Sequence, residues 1–111
     1  MPIPRDALLL RIFVGEDDRC DHKPLYEAIV LKAREHHIAG ATVLRGPMGF
    51  GHSSRIHTTK ILRLSEDLPL VIEIVDEAEK IDAFMGVLAA MPGIALITRE
   101  MVEMVREERK S

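Results

Sequence analysis

The 111-residue sequence contains no Asn, Gln or Trp and only one cysteine. Without Asn and Gln, the chain lacks two amide side chains that are common in catalytic and recognition sites. A single cysteine, Cys20, excludes an internal disulfide and fits a reducing compartment. The sequence also lacks the run of roughly 20 apolar residues that a membrane helix needs, and the basic and apolar segments of a signal peptide. These absences predict a cytoplasmic protein.

The charged residues are nearly balanced in sign. The formal net charge is −3 and the sequence pI is near 5.9, which gives no electrostatic reason to expect nucleic acid or an anionic membrane as the main partner. Stacking of RNA bases needs surface aromatics, and the chain has only three Phe and one Tyr. We therefore expect no nucleic-acid partner. The length and the 47% hydrophobic content predict one globular domain over residues 1–111.

Four strands are predicted from short apolar runs that are rich in β-branched residues. The stretch after the last strand, residues 98–105, fits either strand alternation or helical spacing, and both remain open. The predicted strands cover residues 7–14, 41–44, 68–75 and 94–97.

Two helices are predicted between these strands. The first follows Pro24, which suits a first turn because its missing N–H needs no partner there, and is expected to stop at Gly40. The second is expected to start at Asp76 as its cap, with Glu79 completing a capping box. The order of elements is βαββαβ. It predicts an α+β, ferredoxin-like sandwich in which two helices cover one face of an antiparallel sheet.

The strands leave a second apolar face that these helices would not cover. By alternation the first strand sets Leu8, Leu10, Ile12 and Val14 against Ala7, Leu9 and Phe13, and the third sets Leu70, Ile72 and Ile74 against Val71 and Val75. Both faces are therefore apolar, and symmetric self-association is the economical cover for the second. We therefore predict a homo-oligomer. Arg11 and Glu73 interrupt the same strands. They would either pair across neighbouring strands or be exposed strand charges.

The segment 46–60 between the second and third strands is predicted to be the functional part. Its glycines permit close backbone approach, and its hydroxyl and cationic side chains add donors for an anion such as a phosphate. The spacing differs from a Walker P-loop, because no Gly-Lys-Ser/Thr opens a helix. The alternative is a polar surface loop that binds no small molecule. The candidate ligand-binding residues are Gly49, Gly51, Ser53, Ser54, Arg55, His57 and Thr58.

Histidines raise the alternative of a metal site. His52 and His57 lie in the segment, and His36 and His37 lie at the end of the first helix. No Cys or carboxylate stands at a recognised metal spacing beside them, so we predict no metal ligands and no cofactor. A nucleophile and base at useful spacing are also missing, so we predict no catalytic residues and expect no enzyme.

Several stretches in combination closely resemble the PII-like family called "domain of unknown function 190". The resemblance extends over roughly residues 5–105, nearly the whole chain. The matching stretches are PLYEAI at 24–29, IAGATV at 38–43, GFG at 49–51, SRIHT at 54–58, SEDLP at 65–69 and VIEIVD at 71–76.

This resemblance implies a trimer similar to nitrogen-regulatory PII proteins, with sheets lining the centre and ligands in clefts between subunits. Segment 46–60 corresponds in position to the PII loop that touches partner proteins. The implied function is regulatory. The chain would bind a small anionic ligand, possibly an adenine nucleotide, and contact a partner such as a membrane transporter. The alternatives are a metal-binding trimer similar to CutA-like proteins and a small phosphate-processing enzyme. Acylphosphatases of this fold rely on an Asn that this chain lacks.

Overall fold

The computed structural model describes residues 3–46 and 68–106, together with the backbone of residues 48–49 and 57–58. Within these residues the chain forms two helices and eight strands. In chain order they are β1 (Arg5–Gly15), β2 (Arg19–Cys20), β3 (Lys23–Pro24), α1 (Leu25–Glu35), β4 (Ala41–Arg45), β5 (Met48–Gly49), β6 (His57–Thr58), β7 (Pro69–Asp76), α2 (Ala78–Ala89) and β8 (Leu96–Met104).

The main sheet contains four antiparallel strands in the order β4-β7-β1-β8. Helix α1 connects β1 to β4 across β7, and α2 connects β7 to β8 across β1. Each helix therefore joins two parallel strands that are separated by a third strand. This is the predicted βαββαβ ferredoxin-like arrangement, which the structure confirms.

The core lies between the sheet and the two helices. From Leu8 to Val14 of β1 and along all of β7, every second residue points into it and the residues between are only partly buried, as the strand period of two requires. Full burial of each large apolar side chain contributes about 1.5–3 kcal/mol. The fully buried large side chains are Phe84, Leu10, Ile12, Leu25, Ile29, Ile72, Ile74, Ile81 and Leu88.

Helix α1 begins directly after Pro24 and ends earlier than the sequence suggested. His37 has a φ of +58°. The backbone N–H of His37 donates to the oxygen of Arg34 at 3.1 Å, and that of Ile38 donates to Ala33 at 3.0 Å. These two bonds form a Schellman motif, so the stop lies at His37, and the expectation of a stop at Gly40 was wrong.

Asp76 does not cap the second helix, contrary to the prediction. It is the last residue of β7, its side chain is buried, and α2 begins at Ala78 with Glu77 in the cap position and no side-chain cap bond. The Asp76 carboxylate instead accepts hydrogen bonds from the backbone N–H of Ala39 at 2.8 Å and of Glu77 at 2.7 Å. Asp76 thus ties the turn after α1 to the start of α2.

Strand β8 extends to Met104 and pairs with β1 along its whole length, from Phe13↔Leu96 to Arg5↔Met104. Of the two alternatives for residues 98–105, strand and helix, the structure therefore has the strand, which extends through Met104. Before β8 the chain turns at Gly93, whose φ is +93°. Among the residues that the structure describes, no helix has the length and apolar character to cross a membrane.

Candidate functional site

The start of the predicted functional segment, at Gly46, lies beside the start of β7 at one end of the sheet. The backbone N–H of Gly46 donates to the oxygen of Pro69 at 2.8 Å, and that of Glu16 donates to Leu68 at 2.8 Å. The side chains of Arg45 and Glu16 form an ion pair beside these bonds. The chain therefore leaves β4 and re-enters the sheet at β7 beside the end of β1.

Three of the predicted binding residues meet in a short antiparallel ladder. Strand β5 pairs with β6, with Gly49 opposite His57 and Met48 opposite Thr58. A ladder of this kind places the backbones of paired residues about 4.5–5.5 Å apart. The structure thus brings Gly49, His57 and Thr58 together. The other four predicted residues, Gly51, Ser53, Ser54 and Arg55, lie outside the described residues.

A second hairpin stands at the same end of the sheet, after β1. Strands β2 and β3 pair around Asp21 and His22, which both have positive φ, as a two-residue type I′ hairpin turn requires. The Asp18 carboxylate accepts a hydrogen bond from the Gly15 N–H at 2.8 Å, and its backbone oxygen accepts one from Leu25 at 2.7 Å. This hairpin was not among the predicted strands. The local signal for its anchor was the Asp three residues after Gly15.

The face of the sheet opposite the helices is open and carries an apolar row. The strand register aligns Leu44 with Val71, Val71 with Phe13, and Phe13 with Leu96 across all four strands. Val71 and Phe13 are half-buried, whereas Leu44 is 48% and Leu96 is 53% exposed. We call this face of the sheet, which the helices leave uncovered, the open face. An apolar row that crosses a whole sheet is a typical contact surface for another protein chain.

A charged cluster lies next to this apolar row. Arg11 donates through Nε to Glu73 at 3.0 Å and through Nη1 to Glu100 at 3.0 Å. The hydrogen bond to Glu73, followed by that to Glu100, raises the pKa of Arg11 above its ordinary value. Arg11 is therefore charged throughout the physiological range. Pairing of Arg11 with Glu73 was one of the two sequence-based alternatives and is the one found. The contact with Glu100 was missed because residues 98–105 had no assigned register.

Two of the histidines take part in the structure at the end of α1. The ring of His36 contacts Phe84 edge-to-face with centroids 6.0 Å apart, and His37 supplies the left-handed residue that ends α1. In residues 3–46 and 68–106, no group of three or more His, Cys, Asp or Glu side chains is placed to hold a metal ion. His52 lies outside the described residues.

A groove of about 1080 Å³ runs between α1 and α2 on the side of the molecule away from the open face. Leu31 and Met91 contribute apolar surface to it, and Lys23, Lys32 and Arg34 contribute positive charge. The groove remains accessible if another chain covers the open face.

Comparison with known sequences identifies close relatives. Residues 7–104 match the family model DUF190, described as "Uncharacterized ACR". The chain is 40% identical over 97 residues to a UPF0166 protein of Aquifex aeolicus (strain VF5), covering 87% of this chain and 91% of the relative. It is 36% identical over 76 residues to UPF0166 protein MJ1524 of Methanocaldococcus jannaschii, covering 68% and 69%.

Comparison with solved structures identifies the fold. The chain resembles CPII, a nitrogen regulatory PII-like protein from Thiomonas intermedia K12, in a structure bound to ADP, AMP and bicarbonate. The TM-score is 0.62, with 13% identity over 94% of this chain and 92% of CPII. A second CPII structure, bound to ADP and bicarbonate, gives a TM-score of 0.61, with 14% identity over 94% and 93%. The chain therefore belongs to the DUF190 family and has the fold of a PII-like protein.

Proposed function

We propose that this chain is a PII-like regulatory protein of the cytoplasm that works as a homotrimer and catalyses no reaction. It binds a small anionic ligand, with an adenine nucleotide as the first candidate, in a cleft between subunits beside residues 49–58. Ligand binding changes the contact that segment 46–60 makes with a partner protein, for which a membrane transporter is a candidate. A ligand shifts such a contact when it binds one arrangement of the segment better than another.

The pairing of Gly49 with His57 is the single observation that carries this proposal. It sets two candidate ligand residues opposite each other at the entrance of the segment. Gly49 has no side chain, so a ligand can approach its backbone closely, and histidine is a residue type that can donate or accept a hydrogen bond. The start of the segment is also anchored, since Gly46 bonds to Pro69 of β7 and the preceding Arg45 pairs with Glu16, which follows β1; this gives the ligand site a fixed base.

The related fold supports the ligand class. CPII has the same fold and was solved with ADP, AMP and bicarbonate, which are all small anions. The candidate residues of this chain include two hydroxyls and a guanidinium, Ser53, Ser54 and Arg55, which are suitable donors to phosphate oxygens. An adenine nucleotide therefore agrees with the chemistry of the segment and with the ligands of a protein that shares the fold.

The open face supports the homo-oligomer. Its apolar row remains uncovered by the two helices, and equivalent contacts between neighbouring copies in a ring of three would bury it. Association through this face leaves the β4–β7 end of the sheet, and hence the base of segment 46–60, next to a neighbouring subunit. This arrangement explains why the ligand cleft would need more than one chain.

Calorimetric titration tests the ligand proposal. ATP, ADP, AMP and cyclic AMP are titrated separately into the protein, each with and without Mg²⁺ and with and without bicarbonate. We expect saturable binding of at least one nucleotide and at least tenfold weaker binding by Arg55→Ala. Arg34→Ala is the matched control, because Arg34 is an exposed arginine on α1 outside the segment. The absence of heat with every nucleotide, or equal weakening by both variants, contradicts the proposal.

A further inference from the structure

An ion pair connects the start of segment 46–60 to the end of β1. Arg45, the last residue of β4, donates through Nη2 to a carboxylate oxygen of Glu16, the residue that follows β1. Segment 46–60 connects β4 to β7, and on these two strands Arg45 is the single lysine or arginine. Arg45 is therefore the cation of the described sheet that lies nearest along the chain to the proposed ligand residues.

The backbones of both partners are fixed independently of this ion pair. Strand β4 pairs with β7 up to Arg45, and the N–H of the next residue, Gly46, donates to Pro69 at 2.8 Å. The N–H of Glu16 donates to Leu68, also at 2.8 Å. If the ion pair opened, only the two side chains would need to move, and the sheet would keep its register.

The arginine of this ion pair is open to solvent. Its side chain is 60% exposed, against 25% for that of Glu16. An ion pair that water reaches contributes little to stability, because water and salt screen the attraction. A phosphate group, in contrast, accepts two parallel hydrogen bonds from one guanidinium. A bound phosphate is therefore able to displace the Glu16 carboxylate from Arg45.

Arg45 also lies close to the proposed ligand site. Gly49 and His57 face each other in the β5–β6 ladder, and Gly49 follows Arg45 by four residues. Four residues of extended chain span at most about 14 Å. An arginine side chain and the phosphate groups of a nucleotide together bridge such a distance.

We propose that Arg45 is a phosphate-binding residue of the ligand site and that Glu16 competes with the ligand for it. This inference rests on the adenine nucleotide proposed above. In the free protein the guanidinium of Arg45 bonds to Glu16, and in the complex it bonds to a phosphate of the nucleotide. The exchange removes a side-chain contact between the start of segment 46–60 and the end of β1, so the ligand favours a different arrangement of the segment.

Calorimetric titration of ATP, ADP and AMP into single variants measures this competition. Arg45→Gln removes the charged donor, so we expect at least about tenfold weaker binding. Glu16→Gln removes the competing carboxylate, so we expect binding to tighten by up to about fivefold, the range that an exposed ion pair allows. Glu35→Gln is the matched control and should bind like the wild type, because Glu35 is an exposed carboxylate that pairs with Lys32 on α1.

A double variant separates this competition from general electrostatics. Loss of the Glu16 charge near an anionic ligand would tighten binding even if Glu16 acted independently of Arg45. If Glu16 acts through Arg45, Glu16→Gln tightens binding in the wild-type background and has no effect in the Arg45→Gln background. Circular dichroism and the molecular mass in solution verify that each variant keeps its fold and its assembly.

The outcomes distinguish this inference from the proposed function. Nucleotide binding that Arg45→Gln leaves unchanged overturns the inference and leaves the nucleotide site in place. Equal tightening by Glu16→Gln in both backgrounds, or by Glu35→Gln, does the same. A wild type that binds none of the three nucleotides overturns the proposed function, and this inference with it.

Discussion

Arg11 and Glu73 form an ion pair between the two central strands of the sheet, with Nε and Oε2 3.0 Å apart. They are direct register partners on the face that the helices do not cover. Their neighbours in the same face are apolar, with Leu9 opposite Val75 and Phe13 opposite Val71. A charged pair inside an apolar surface favours one relative arrangement of the surfaces that meet there, because a shifted partner would bury a charge without compensation.

The two faces of β7 predict opposite consequences for neighbouring substitutions. Ile72 is fully buried under the helices, and Val71 lies half-buried on the open face. We expect Ile72→Asp to unfold the chain, since an unpaired charge enters the core. We expect Val71→Asp to keep the secondary structure and to lower the molecular mass in solution. Circular dichroism and light scattering measure the two properties. An unchanged mass for Val71→Asp argues against the open face as the contact surface.

Removal of the Asp76 carboxylate should destabilise the fold without altering the sheet. Asp76→Ala leaves the partly buried N–H groups of Ala39 and Glu77 without their acceptor, and an unsatisfied donor costs up to about 1–3 kcal/mol when it is buried. We expect a loss of about 2–4 kcal/mol in the free energy of unfolding, measured by denaturant titration at fixed protein concentration. Asp82→Ala is the control. Its carboxylate pairs with Arg99 at the surface, so stability should stay close to wild type.

Two glycine-to-alanine substitutions should have opposite signs. Gly93 has a φ of +93°, and an added Cβ would lie 3.4 Å from a methyl group of Leu25. Gly93→Ala should therefore destabilise the protein by about 1–2 kcal/mol. Gly86 lies within α2 with open space at its Cβ position, so Gly86→Ala should stabilise it by about 0.5–1 kcal/mol. If both variants change the thermal unfolding midpoint by the same amount and in the same direction, backbone conformation does not determine the effect of these substitutions.

The end of α1 offers a stabilising substitution. His37 has a φ of +58°, a conformation that costs a residue with a Cβ about 1 kcal/mol more than glycine. We expect His37→Gly to raise the free energy of unfolding by about 0.5–1 kcal/mol. His36→Gly should lower it, because His36 has a φ of −91° and its ring contacts Phe84. If His37→Gly instead lowers the free energy of unfolding, the side chain of His37 makes a stabilising contact that outweighs the cost of its positive φ.

The order of elements and the open apolar face were predictable because they follow from alternation within single strands. Other features depend on distant partners. The Asp76 carboxylate binds the N–H of Ala39, 37 residues away, and this contact decided against the helix cap that the local sequence favours. Residues 98–105 fit two periodicities, and pairing with β1 makes them a strand through Met104. The end of α1 depends on Ile38, which packs on the core and bonds back to Ala33.

The candidate site was predictable in part. Glycines and hydroxyls mark segment 46–60 by composition alone, and the pairing of Gly49 with His57 brings two of the chosen residues together. The anchor of the segment was not visible in the sequence. Glu16 and Arg45 meet only after β1 and β4 have taken their places on either side of β7. Glu100 was missed for the same reason, since its contact with Arg11 requires the register of β8.

The most direct test of the account is the molecular mass of the untagged protein in solution. Light scattering coupled to size exclusion at micromolar concentration measures it without assumptions about shape. The proposed PII-like homotrimer, in which identical copies cover the open face, predicts three times the 12.5 kDa of one chain. A mass of 12.5 kDa would contradict the account, because the open face would then be exposed to water and the ligand cleft would have no second subunit.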